Sequence, residues 1–306
     1  MPLKVGLNFM GSDVRLGPDF ARVLALAREA DERGIDMLTF PDHLAIGRDA
    51  FEQPLHFGET FPFPRDMAWY EPVTALAALA AVTRRARLSV NVLVAPLRPA
   101  LFIAKQVATL DVISGGRVCL GMAGGWHEAE FAASGIPLQG RFARLEEQIA
   151  VCRALWAQAP ASFEGPTVRF SDLYAMPLPI QGRAIPIYLG LPATGRHIER
   201  IARLADGWSW GYVGDPPLIA DGLARIHEAM ARLGRVPASF EVKAFPLPIH
   251  RADGSIDLEA TFARVPPLVE AGVTIIEPNL YDYCSSAADV PRLLDQLNAL
   301  QREFAE

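Results

Sequence analysis

The sequence predicts a closed (β/α)8 TIM barrel with insertion loops at its C-terminal face, and three observations carry that expectation. Eight short apolar runs alternate with eight helix-like runs, the pattern of a parallel sheet covered by helices. Gly34, Gly115, Gly234 and Gly272 stand just past four of those helices, where a left-handed cap ends the spiral. The 306 residues suit one such barrel, which takes about 250, with two long excursions to spare. An open doubly wound sheet satisfies the same alternation and is the architectural alternative.

In chain order, an apolar strand at 3–9 feeds a helix at 20–33, and a second strand at 37–40 ends in Pro41-Asp42-His43. Residues 43–70 carry Pro54, Gly58, Pro62, Pro64 and several Phe, so they read as an insertion rather than a helix. A helix at 72–85, a strand at 88–94 and a helix at 101–113 follow. The fourth strand, 118–122, runs into Gly124-Gly125-Trp126, and a helix at 141–156 comes next. The second insertion, near 160–185, contains a hairpin-like stretch around Gly165-Pro166. Strands at 187–190, 207–210, 241–246 and 273–277 alternate with helices at 196–205, 217–233, 258–270 and 287–304. No linker or repeat divides the chain, so residues 1–306 are expected to form a single barrel domain.

Composition narrows the function. Half the chain is hydrophobic (51%) and 21% is charged, enough for a sizeable core. A net charge of −6 with no Lys/Arg block argues against nucleic acid and leaves small molecules as partners. Cys119, Cys152 and Cys284 are far apart and form neither a disulfide framework nor a zinc motif, which suits a cytoplasmic protein. The Ala-rich run 73–82 is too short to span a membrane, so none is expected.

Chemistry is expected at the C-terminal strand ends, where barrels place their active sites. Asp42-His43 closes the second strand; His43 suits a general base or a donor to developing negative charge, with Asp42 tuning it or only capping a turn. Gly124 and Gly125 permit close backbone approach and Trp126 can stack on a planar ring, although a tight turn with a core Trp fits the same residues. Gly190, Ala193, Thr194 and Gly195 open a helix and read as an anion site or an ordinary cap, with Arg196 or Arg200 adding charge. Glu277, Asn279, Tyr281 and Tyr283 are polar candidates beyond the last strand. His127 and Glu130 share a helix face but lack a third metal ligand. No G-x-S-x-G elbow occurs, and the first strand carries no H-x-H, so a hydrolase gains no support.

The ordered segments Glu32–Asp36, Pro41-Asp42-His43-Leu44, 104–111 with Ser114-Gly115-Gly116-Arg117, Gly121–Trp126 with Glu130, and 202–208 resemble the bacterial luciferase-like family of flavin and deazaflavin oxidoreductases. The resemblance spans nearly the whole chain. It implies a planar ring bound at the barrel mouth, with Asp42-His43 beside its reactive edge and Asn91-Val92 where relatives hold a non-prolyl cis peptide. It also implies Gly124, Gly125 and Trp126 along the ring and the 190–195 loop at a phosphate. That loop is poorer in glycine than in relatives, and Trp126 stands where the sugar-phosphate dehydrogenases of the deazaflavin branch place a Glu.

The resemblance therefore implies an oxidoreductase of the monooxygenase type, using FMNH2 and oxygen on a small organic substrate, with a reductase supplying FMNH2 from FMN. Phe61, Phe63 and Trp69 would wall the substrate pocket. Helices at 72–85 and 101–113 would form a homodimer. Alternatives are hydride transfer by coenzyme F420, a non-catalytic flavin-binding protein, and a metal-dependent lyase or hydrolase using Asp42, His43 and Glu277.

Overall fold

The computed structural model describes residues 2–54, 60–209, 214–236 and 239–305. Gly58 of the first insertion and Trp210 of the sixth predicted strand lie outside them. The barrel closes through eight parallel strands: β1 (Lys4–Asn8), β2 (Met37–Phe40), β3 (Arg87–Val94), β4 (Val118–Ala123), β7 (Ile187–Leu189), β8 (Gly207–Ser209), β9 (Glu241–Ala244) and β10 (Ile275–Ile276). Each pairs with the next in that order, and β10 returns to β1 with Lys4 opposite Ile275. All eight expected strands are present, and the open-sheet alternative is excluded by the closure. Between β4 and β7, β5 (Ala161–Glu164) and β6 (Arg169–Leu173) form an antiparallel hairpin at the expected turn.

Local sequence explains the surrounding helices. Asp19 accepts the amide of Ala21 at 3.0 Å and starts the helix Phe20–Glu32, which buries Val23, Leu26, Ala27 and Ala30 at helical spacing against the sheet. Gly115 ends Ala100–Ser114 in the left-handed region at φ 73°. The expected helix at 258–270 is instead two, Leu258–Phe262 and Val265–Glu270. Pro266 and Pro267 have no amide to donate to the preceding turn, so the spiral stops and restarts with them in its first turn. The last predicted helix begins as a 3-10 turn, Ala287–Asp289, before Val290–Glu303, with Ser286 and Asp289 forming a capping box.

Between strands and helices the core is aliphatic, but the barrel axis is polar. Glu241 takes two hydrogen bonds from Arg87 at 2.8 and 3.0 Å and one from Lys4 at 2.6 Å, and Tyr188 donates to it as well. Burial opposes ionisation of Glu241, yet the hydrogen bonds from Arg87, Lys4 and Tyr188 outweigh it and hold its pKa at about 2. Nearer the mouth, the buried Lys243 lies 3.2 Å from Glu277. Ionic pairs of this kind cost desolvation, and here each charge has several partners.

Candidate active site

The polar axis ends in the floor of a cavity at the C-terminal mouth. Glu277 Oε1 accepts hydrogen bonds from Thr39 at 3.0 Å and from the Asn91 amide at 2.5 Å, and Asn91 Oδ1 accepts from Ser209 at 2.6 Å. The Asn91-Val92 peptide is cis. Val92 lies so close to the adjoining strand end that a Cβ on Gly190 would stand 3.0 Å from its Cγ1, a tight contact that glycine avoids. Above this shelf the cavity measures about 970 Å3, within the usual range for a ligand or cofactor pocket.

At one end of the cavity stands His43. Its Nδ1 is 3.1 Å from Glu130 Oε2, while Glu130 Oε1 accepts the amides of Leu44 at 2.5 Å and Ala45 at 3.4 Å. Glu130 is 2% exposed. An ionised carboxylate accepts from Nδ1–H, which leaves Nε2 as the ring atom able to meet a ligand. Gly47 donates to His127 Nε2 at 2.6 Å, so residues 127 and 130, flanking one turn of the helix Glu128–Ala133, together pin the start of the first insertion. Burial keeps His127 below the ordinary histidine range, and the carboxylates of Asp49 and Glu130 do not overcome it.

Asp42 is engaged elsewhere than at His43. Both of its oxygens are taken by Arg98, at 2.7 and 2.8 Å, and one also accepts the Val94 amide at 2.8 Å. The partner of His43 is Glu130, which sequence reading placed on a helix but left without a role. A carboxylate adjacent in sequence was the natural choice, but Arg98 and the Val94 amide take up Asp42.

Phe61, Phe63, Trp69 and Trp126 do gather around His43, with ring centroids of Trp69, Trp126 and Phe61 at 4.9, 5.6 and 5.8 Å from the imidazole. Phe63 packs edge-on against Phe61 at 5.1 Å. Gly124 and Gly125 line the same cavity, and Gly125 needs its positive φ of 76° to turn the chain there.

Two further polar residues of the cavity were missed by sequence reading, one of them a cation. Arg141 and His197 line the cavity, and Arg141 Nε donates to the Gly125 carbonyl at 2.9 Å. Arg141 makes no ion pair among the described residues. The Arg141 and Arg200 guanidinium groups lie 4.4 and 5.2 Å from the centroid of Phe142, which meets His197 edge-on at 4.6 Å. Burial, then the charges of Arg200 and Arg141, lower the pKa of His197. The expected anion loop reaches this place only in part. Gly190 lines the cavity, whereas Ala193 is buried in the core and Thr194, Gly195 and Arg196 are exposed at the start of the helix Arg196–Leu204. Arg200 is held by Glu146 at 2.5 Å.

Asp42, His43 and Glu277 do not assemble as a metal site, since no cluster of three potential ligands exists among the described residues. Nor is any helix among them long and apolar enough to cross a membrane.

A family model described as luciferase-like monooxygenase matches residues 6–269. An uncharacterised protein of Mycobacterium tuberculosis is 36% identical over 205 residues, 66% of this chain and 70% of its own length. An F420-dependent glucose-6-phosphate dehydrogenase of Microbacterium testaceum is 29% identical over 91% of this chain and 78% of its own. An FMNH2-dependent dimethylsulfone monooxygenase of Pseudomonas putida is 37% identical over 45% of this chain and 38% of its own. Among solved structures, the monooxygenase RslO1 of Streptomyces bottropensis superposes with a TM-score of 0.76 at 19% identity, covering 99% of this chain and 100% of that one.

Proposed function

The chain belongs to the luciferase-like monooxygenase family, and on that premise we propose that it uses reduced flavin, FMNH2, with oxygen to oxidise a small organic substrate. The observation that carries this reading is the polarity of the cavity. A phosphate-bearing planar cofactor needs a cation at one end, a flat shelf in the middle and a proton-handling group at its reactive edge. Arg141 with His197, Asn91-Val92 and His43, which all line the one cavity, can supply these. When bound, the flavin supplies the electrons that reduce oxygen.

The chain's own residues bind, orient and move a proton. Arg141 and His197 take the phosphate, and Gly124, Gly125 and Trp126 flank the ring. The aromatic residues beside His43 exclude water. His43 Nε2 gives or takes the proton, and Glu130 holds the ring in the tautomer that lets it. Asp42 serves as the wall that sets the shelf behind them.

A second reading, hydride transfer with coenzyme F420, is favoured by the length over which the F420-dependent relative matches, 91% of this chain. Separate optical titrations with FMN, anaerobic FMNH2 and F420 decide between them. FMNH2 binding, with substrate-coupled oxygen consumption, is the expected result; F420 binding without oxygen uptake replaces it with the second reading, and binding of none overturns both. Arg141→Ala is expected to weaken FMN binding by about 10- to 100-fold, the worth of a charge-assisted hydrogen bond.

We also infer a homodimer and an external flavin reductase. Leu101, Phe102 and Ile113, about half exposed, make an apolar stripe along Ala100–Ser114, joined by Tyr174 from the second insertion.

A further inference from the structure

We propose that the His43 end of the cavity takes an uncharged, largely apolar molecule carrying one hydrogen-bonding oxygen, and that the first insertion sets this preference. The inference rests on the cofactor reading above, which assigns Arg141 and His197 to a phosphate.

The walls at this end come mostly from the insertion. Phe61, Phe63 and Trp69 meet Trp126 from the β4 loop and Met10 from the end of β1, with Phe61 to Trp69 and Phe61 to Trp126 at 5.8 and 5.9 Å. The described stretch that bears these rings is fastened in place, since the Phe61 amide donates to the Ala50 carbonyl and the Ala68 amide to Asp13, both at 2.8 Å. These rings are therefore a fixed surface rather than loose cover.

The charges near this end are already committed. Glu130 is engaged by His43, Leu44 and Ala45, and Asp42 by Arg98. Glu277 in the floor is engaged by Lys243. Arg141 is the one arginine or lysine among the described residues lining the cavity, and its guanidinium is turned to the Gly125 carbonyl and the Phe142 ring. A carboxylate, sulfonate or phosphate entering here would lose its hydration and find no described cation beyond the imidazole. An ammonium would meet ring faces but no carboxylate left to pair with it. A neutral ligand gains the apolar contact at no such cost, and a hydroxyl group on it can donate to the unprotonated His43 Nε2.

Trp69 and Trp126 make the site its own reporter. The test follows tryptophan emission of the full-length protein during titration with three probes of one ring size: cyclohexanol, cyclohexanecarboxylate and cyclohexylammonium. Cyclohexanol is expected to change the emission saturably at concentrations at least ~10-fold below the other two, the least that an unpaired buried charge costs. Trp69→Phe, which keeps the wall, should diminish that signal and so locate it. Phe61→Arg should reverse the order of alcohol and carboxylate. Equal or tighter binding of either charged probe overturns the proposal, as does the absence of any response to cyclohexanol. The FMN and F420 titrations are read separately, so loss of the cofactor reading and loss of this one are distinct results.

Discussion

Asp42 and His43 are consecutive residues at the end of β2, yet they belong to two different assemblies. Asp42 points into the wall, where Arg98 and the Val94 amide fill its acceptor positions. His43 points into the cavity, where Glu130 takes one nitrogen and the other is left for a ligand. The first assembly is closed on itself and the second is open by one atom. A saturated ion pair contributes structure, whereas a pair with one unused proton site can do chemistry.

The sharpest way to break the comparison is to remove the wall carboxylate. Asp42→Ala leaves the Arg98 guanidinium, 7% exposed, without its bidentate partner, and leaves the Val94 amide unpaired. Breaking a buried pair from one side costs about 3–5 kcal/mol. Glu71, 3.6 Å from Arg98, is a remaining partner and places the expectation at the lower end. Urea unfolding measures it; a loss below about 1 kcal/mol would mean that Asp42 is not a wall residue.

Glu130→Gln tests the other assembly and should act on turnover. The amide cannot accept from both His43 and the Leu44 amide while presenting its NH2 group, so His43 loses its enforced tautomer. A general acid or base contributes about 10²–10⁴-fold, and loss of positioning should cost roughly 10²-fold in kcat/KM. The Kd for FMN should stay unchanged, and Glu130→Asp should restore part of the loss. Equal damage to cofactor binding and turnover would instead mark Glu130 as a support for the fold.

The two assemblies were not equally legible in the chain. Strand ends, glycine caps and the aromatic insertion follow from local patterns, so the barrel and the cluster of Phe61, Phe63 and Trp69 at His43 could be read from sequence. The polar axis was legible too, but unread. Arg87, Ser89 and Asn91 alternate along β3, and Glu241 and Lys243 along β9, while the residues between them are apolar. In a barrel wrapped by helices, such a period of two turns the polar set inward. Glu130 was harder, because its link to His43 spans 87 residues and exists only once the helix Glu128–Ala133 folds back over β2. Arg141 had a weak signal, an arginine opening the second helix after the ligand-facing β4 loop. The 190–195 loop misled because the mouth of the cavity stops at Pro192 and resumes at His197.

The smallest expected effect lies at the anchor between the assemblies. His127 accepts the Gly47 amide through Nε2, which it can do only while that nitrogen is unprotonated. Its pKa is lowered by burial, so below about pH 6.5 the unfolded chain binds a proton that the native chain resists. The sign follows: this contribution to stability is present above that pH and is lost as the pH falls toward the lowered value. A modest decline in Tm between pH 7 and 5 is therefore expected, smaller than the effect of Asp42→Ala. His127→Asn, whose side-chain oxygen can accept the same amide without titrating, should flatten that part of the profile. If the His127→Asn profile runs parallel to the parent, the start of the first insertion is held by Glu130 alone, and the open assembly is a single contact rather than a fastened loop.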